Sequence, residues 1–546
     1  MKSRKIFLGI IIFIAFILRL YGLGQNPPSL TWDEVAWGYN AYALGSDGKD
    51  EFGRFLPYDY LESFGDFKPP MYAYLDVLPV KAFGLNEFAT RFPSAFFGVL
   101  TVFMTYFLTK RLFEKSPNKK NYALAATGIL ALSPWHIMLS RAAFEANVAT
   151  FFIVSGVFFF LCGVQEKKWF LLLSTASFVL SMYTFNTARI VSPLLGIGLV
   201  VGFHKTLLRQ KKELIIAGVI GVVLLLPVAK FLLSPQVSLR FREVNIFSDL
   251  DVIKTANQEI INDGNAAWAK IIHNRRLLFS TEYLKHYFDN LESKFLFIKG
   301  DGNPKFSTQD VGEMYLWDLP FFIVGVIFLF RKREENWWII PYWLLIGIIP
   351  AATARETPHA LRIEASLPTF QILVGYGVIT ITMILFPSLK NKQIQIATTG
   401  GGICLLILSA FYFQYGYYTH YAREYSGGWQ YGYKDAIAYI ETVRNNYNNI
   451  YFTTELGRPY VYVLFYSKLS PDTFRQTMHV SREVFGFVRV NKVGKYIFLS
   501  DVRNLKNIGK KNLYVDIPKR VPQSAKILKT FNLLNGTPSL EAYTYE

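Results

Sequence analysis

Cysteine is almost absent from this chain: Cys162 and Cys404 are the only two in 546 residues, both inside apolar stretches and far apart. They offer neither a disulfide framework nor the spacing of a zinc site, so they carry no information about redox compartment. Phosphate-loop and dinucleotide fingerprints are missing too, which leaves no expected site for a soluble nucleotide. No internal repeat or low-complexity tract occurs, and no Ser-His-Asp pattern marks a covalent nucleophile. Acidic residues are outnumbered, 40 against 58 Lys and Arg, for a formal net charge of +18. That excess points to nucleic acid only until its placement is read. The clustered cations sit in short loops between apolar runs, where membrane topology explains them better.

What the sequence has is hydrophobicity: 51% of its residues are hydrophobic and 17% aromatic. The apolar residues gather into repeated runs of about 18 to 24, long enough to cross a bilayer as helices. Eleven spans are expected, near residues 5–22, 89–109, 122–139, 148–164, 169–184, 190–203, 214–233, 314–330, 337–353, 365–386 and 395–413. No small-x-small cleavage site follows the first run, which is therefore read as an uncleaved span. If the N-terminus is cytoplasmic, alternate loops are KRLFEKSPNKK, QEKK, HKTLLRQKKE, RKREEN and LKNKQ, every one rich in Lys or Arg. This is the positive-inside pattern, repeated loop after loop.

The remaining connections are then extracytoplasmic: residues 23–88, 139–147, 183–189, 234–313, 352–362 and the tail 414–546. In the first, VAWGYNAYAL and MYAYLDVLPVKAFG mix aromatic and apolar residues at helical spacing but are too short to span, as expected of helices at the bilayer surface. The 234–313 stretch, with turns such as NDGN and KGDGNP, reads as a folded cap without a catalytic motif. In the tail, YKDAIAYIETVRNNY is amphipathic and NIYFTTE, KYIFLS and NLYVDI are strand-like. They predict a small α/β domain of about 115 residues. The expected fold is thus a polytopic α-helical membrane domain over 1–413 followed by an extracytoplasmic α/β domain over 414–546.

Chemistry is suggested by LTWDEVAWGYNAYAL, where Asp33 and Glu34 stand together just beyond the first span. Helix capping is one reading, since Thr31 or Asp33 can accept from free backbone N–H groups and acids favour a helix N-terminus. A reactive acidic pair is the other. In the same loop GDFKPPMYAY sets Asp66 and Lys68 before two stiffening prolines, suited either to a helix start with a surface ion pair or to a lipid-linked anion. Cations recur on the same expected face: Arg141, with Glu145 four residues on, Arg189, then Arg355, His359 and Arg362 in ATARETPHALR. Singly each suits lipid phosphate or a loop salt bridge; together they suit an anionic substrate. His359 has no companion at metal-site spacing.

WDE after the first span, then DFKPPMYAYL, then ATRFPSAFFG leading into the second, resembles the bacterial members of glycosyltransferase family 39, which are related to protein O-mannosyltransferases and to the aminoarabinose transferases that modify lipid A. LSPWHIMLSRAAFEAN and TPHALRIEASLP extend the resemblance over most of residues 1–413. It implies a GT-C fold and an inverting transfer from a polyprenyl-phosphate-linked sugar at the outer face of the cytoplasmic membrane. It also implies Asp33 as the base, Glu34 in support, and Lys68 near the lipid phosphate, with Asp66 matching an acid of the motif. Arg141, Arg355, His359 and Arg362 join the donor site by position and charge.

Phe67 stands where the lipid A enzymes carry a glutamate implicated in metal binding, so no metal ligand set and no cofactor is assigned, although a divalent metal stays open. The tail is not the sugar-binding insertion of eukaryotic O-mannosyltransferases. Partners are a polyprenyl-phosphate sugar, membrane lipid and a lipid, glycan or protein acceptor, not nucleic acid. The rival expectations are a transporter or flippase, which would place its charges at the bilayer midplane, and a non-catalytic assembly protein.

Overall fold

The computed structural model describes residues 2–234, 237, 245–248, 250–388, 391–482, 488–505 and 511–545. Parts of the expected cap and of the loop LKNKQ therefore lie outside the described residues. Each of the eleven apolar runs falls on helix, from Lys2–Leu20 to Lys392–Gly416. Among the described residues five helices are long and apolar enough to cross a membrane. They become six if Lys119–Leu132 and Pro134–Arg141, bent by 55° at their junction, form one span. The bend falls at Pro134, which has no N–H to continue the ladder. Phe170–Met182, Ala188–Gly202 and Ile339–Thr353 are apolar but shorter.

The chain parts into two compact units: residues 1–18, 97–139 and 146–413, and residues 19–96, 140–145 and 414–546. In the first, Asp318–Lys332 and Thr369–Ser388 pack with glycine at the contact. A Cβ on Gly325 would collide with the Leu373 carbonyl oxygen, and one on Gly377 with that of Phe321. Backbones approach this closely only where small residues allow it, the usual way to hold helices together in lipid. The expected cap contains the helices Leu250–Asn262, Ala267–Ile272 and Arg275–Asp289.

The second unit departs from the expected boundary. Residues 19–96 and 140–145 associate with the tail, whereas the sequence groups them with the membrane spans. The physical reason is a shared core. Val35, Ala36 and Tyr39 of the helix Trp32–Asp47 pack in one buried cluster with Val461, Leu464 and Phe465 of the helix Pro459–Tyr466. Gly38 makes the approach possible, since a Cβ there would sit 2.6 Å from the Phe465 ring. Two short strands of the first loop, β1 (Leu61–Ser63) and β2 (Asp66–Lys68), form a hairpin.

The tail builds a seven-stranded sheet from β3 (Asn449–Thr453), β4 (Met478–Arg482), β5 (Val488–Val493), β6 (Tyr496–Leu499), β7 (Asn512–Asp516), β8 (Ala525–Asn532) and β9 (Pro538–Tyr545). Their order is β4-β5-β6-β3-β7-β9-β8, with β3 parallel to both β6 and β7 and every other pairing antiparallel. The amphipathic segment forms the helix Tyr433–Val443, whose Tyr433, Ala436, Ile437 and Ile440 enter the same core.

Candidate active site

Thr31 starts the Trp32–Asp47 helix, and the local sequence dictates how. Its hydroxyl accepts from the Glu34 N–H at 3.3 Å while its own N–H donates to Glu34 Oε2 at 2.8 Å, a reciprocal capping box. Glu34 is thereby turned inward and Asp33 outward. The Glu34 side chain is fully buried, and Oε1 also accepts from Arg91 Nε and the Ala143 N–H, each at 2.9 Å. The Asp33 side chain keeps 46% of its surface exposed and pairs with Lys68 Nζ. One carboxylate of the pair is locked in the fold, and the other stays about half exposed.

Arg91 is the residue that sequence reasoning missed. It is fully buried at the start of the helix Glu87–Leu112 and donates to the carbonyls of Pro27 (2.8 Å) and Leu23 (3.2 Å) as well as to Glu34. It pins the turn QNPPS to the acidic pair. The only signal in ATRFPSAFFG is a lone arginine at the opening of an apolar span; its partner Glu34 lies 57 residues away. A buried charge is tolerable only when its hydrogen bonds are this fully satisfied.

The hairpin delivers the cation. Ser63 is in register with Asp66, leaving Phe64 and Gly65 as a two-residue turn, and both have positive φ, 40° and 83°. That is a turn whose twist suits a hairpin, at some steric cost for an aromatic residue in the left-handed region. Phe64 is held there by its N–H, which donates to Tyr460 Oη at 2.7 Å. Lys68 is buried at the end of β2, and its ammonium lies 4.4 Å from the Phe64 ring centroid and 4.9 Å from that of Trp37. The two aromatic faces supply cation–π attraction without neutralising the charge. Asp66 is buried opposite Ser63, and the field of Asp66, Asp33 and Lys68 reaches Glu145.

Arg141 is in this unit as well, but it is sequestered. Its guanidinium is buried, donates to Asn26 O at 2.8 Å and Tyr417 Oη at 3.2 Å, and lies 5.3 Å from the ring centroids of Tyr417 and Tyr418. Those contacts tie Asn26 and Tyr417 together through the guanidinium. Arg355, His359 and Arg362 belong to the other unit. There His359 is buried against the Phe306 ring, its backbone N–H on Asn290 Oδ1 at 3.0 Å. Burial, with Arg362 nearby, lowers its pKa to about 3. Arg355 is exposed and donates to Asn245 O at 3.4 Å; Arg362 donates to Glu356 O at 3.3 Å. Among the described residues no group of three or more His, Cys, Asp or Glu is placed to hold a metal ion. Phe67 packs edge-on against Tyr60 at 5.3 Å.

An accessible carboxylate on a buried, ring-boxed ammonium, at the head of a helical chain of this order, can be compared with known proteins. Residues 9–234 match the sequence family described as dolichyl-phosphate-mannose-protein mannosyltransferase. The apo structure of ArnT from Cupriavidus metallidurans superposes with a TM-score of 0.55 at 12% identity, over 98% of this chain and 97% of that one. This is the GT-C glycosyltransferase fold. The structure of the same ArnT bound to undecaprenyl phosphate aligns equally well, with a TM-score of 0.55 and 13% identity over 98% and 97% of the two chains. An uncharacterised protein of Aquifex aeolicus is 34% identical over 209 residues, 38% of this chain and 38% of its own length. The sequence-family match covers the segments WDE, DFKPP and ATRFP that first carry the GT-C resemblance, and the fold agrees with it. Asp33, Glu34, Asp66, Lys68 and Arg91 all lie within the family match.

Proposed function

We propose that this GT-C protein is an inverting glycosyltransferase that moves a sugar from a polyprenyl-phosphate-linked donor to a hydroxyl acceptor at the outer face of the cytoplasmic membrane. In this reading the chain crosses the bilayer eleven times, with its N-terminus cytoplasmic and residues 414–546 outside. The Lys- and Arg-rich alternate loops support that orientation. The undecaprenyl phosphate bound to ArnT supports a polyprenyl-phosphate donor.

The observation that carries the reading is the half-exposed Asp33 carboxylate held on buried Lys68. Asp33 takes the proton of the acceptor hydroxyl as its oxygen attacks the anomeric carbon. The new carbon–oxygen bond forms as the bond from that carbon to the donor phosphate breaks. Polyprenyl phosphate leaves with the bonding electrons, and Lys68 offsets the charge it gathers. Glu34, closed off by Arg91 and the Ala143 N–H, is a positioning residue that fixes the start of the helix carrying Asp33.

Replacing Asp33 by Asn removes the base and keeps the shape. Turnover is expected to fall about 10²- to 10⁴-fold, the usual contribution of general-base catalysis, while the melting temperature of the purified protein stays near wild type. Undiminished sugar transfer by that variant would refute the assignment.

A further inference from the structure

Within the second unit, a cavity of about 330 Å³ opens beside Phe64, the ring that also carries Lys68. Phe64 and Tyr460 wall it; Thr454, Arg458, Arg489 and Ser500 are among its polar lining. Topology accounts for its position. β3 is flanked by parallel neighbours on both sides, and Thr454 and Ser500 directly follow the C-terminal ends of β3 and β6. Crevices beyond the carboxyl ends of parallel strands, where connections diverge to either side, are where open α/β sheets take ligands. A size of about 300–1,000 Å³ is typical of small-molecule sites, so this one has room for roughly one monosaccharide and its substituent.

Its chemistry is one-sided. Among the described residues no Asp or Glu lines the cavity, and neither the Arg458 nor the Arg489 guanidinium has a hydrogen-bond or ion-pair partner. The Arg458 guanidinium rests 5.6 Å from the Phe64 ring centroid. Two unpaired forks converging on one pocket are suited to a bidentate anion, and the hydroxyls of Thr454 and Ser500 add neutral hydrogen-bonding capacity. The same Phe64 ring carries Lys68 at 4.4 Å, and Lys68 holds Asp33. The Phe64 ring is thus shared by the arginine cavity and by the lysine that holds the candidate base.

We propose that this cavity is the acceptor subsite and that the acceptor is an acidic sugar, bearing a phosphate or carboxylate that Arg458 and Arg489 grip while a neighbouring hydroxyl meets Asp33. The inference rests on Asp33 being the base, but its test does not depend on turnover.

The full-length protein in detergent is titrated by calorimetry with glucose 1-phosphate, glucuronic acid, glucose and inorganic phosphate. Wild type and Asp33→Asn are expected to bind glucose 1-phosphate or glucuronic acid at least tenfold more tightly than glucose or inorganic phosphate. The double variant Arg458→Gln/Arg489→Gln is expected to lose that preference while still binding undecaprenyl phosphate. Should the Gln pair fail to fold, Arg458→Lys/Arg489→Lys replaces it, keeping the charge but losing the fork, with at least a threefold weakening expected. Equal binding by the arginine variants, or glucose or inorganic phosphate binding as tightly as the acidic sugars, would overturn the proposal. Full turnover by Asp33→Asn would instead refute the catalytic assignment and leave the binding result standing.

Discussion

Asp33 and Glu34 are chemically similar neighbours, and only their surroundings separate them. WDE is legible in the sequence as a pair of acids at a helix start, and both capping and chemistry are readable from it. Which acid does which is a matter of tertiary burial. Glu34 faces Arg91, fifty-seven residues away in sequence, and no local pattern announces that partner. The structure separates the two: Glu34 closes the capping box, and half-exposed Asp33, the proposed base, meets Lys68. The division predicts opposite phenotypes. Arg91→Leu leaves a buried carboxylate without its counter-ion and is expected to cost about 3–5 kcal/mol, read as a fall in melting temperature and in folded yield. Asp33→Asn is expected to lower turnover about 10²- to 10⁴-fold with little change in either. Similar melting losses in the two variants would contradict the division. Arg141 and His359 show the same limit of sequence reading, because charge and position are visible there while burial is not.

At the scale of elements, the hairpin β1–β2 is the part the sequence conceals best. SFGD contains only one glycine, and its left-handed turn places Phe64 where few aromatic residues sit. The reason is Tyr460, which accepts from Phe64 N–H and donates to Glu51 Oε1 at 3.2 Å. Tyr460 itself lies in PYVYVLFY, whose β-branched and aromatic residues favour strand; with proline at its first turn and both faces buried, the segment is helix instead. By contrast YKDAIAYIETV and the strands around residues 450, 497 and 514 are readable from periodicity alone, whereas β8, with only one of its eight residues buried, gives no alternation to detect.

Two predictions belong to this scale. Lys68→Ala removes the cation that the hairpin presents, and loss of a charge-assisted contact of about 1.5–3 kcal/mol should raise the donor KM roughly 10- to 100-fold in a transfer assay. An unchanged donor dependence would move the phosphate contact elsewhere. Glu51 supplies the second. Burial, reinforced by Asp50, raises its pKa from 4.5 to about 8. The folded state then holds a proton that the unfolded state has released between those values, so stability declines as pH rises from about 4.5 through about 8. Melting temperatures between pH 5 and 9 should show that decline, and Glu51→Gln, permanently neutral, should flatten it.

For the whole molecule, the eleven apolar runs and the alternation of basic loops are legible because lipid imposes them residue by residue. The partition into units is not, since residues 19–96 and 140–145 join the tail through packing that links segments some 400 residues apart. The consequence is functional: Asp33, Lys68, Arg91 and the sheet of the tail form one unit, so the candidate base and the candidate acceptor pocket are held by a single core. The central claim is sugar transfer from a polyprenyl-phosphate donor by Asp33, and it is tested most directly by mass spectrometry of the lipid that copurifies with the protein. Asp33→Asn should carry polyprenyl phosphate with its sugar still attached, and wild type should carry predominantly the bare polyprenyl phosphate left after transfer. The same sugar-bearing lipid in equal amount on both, or no polyprenyl phosphate on either, would contradict the account.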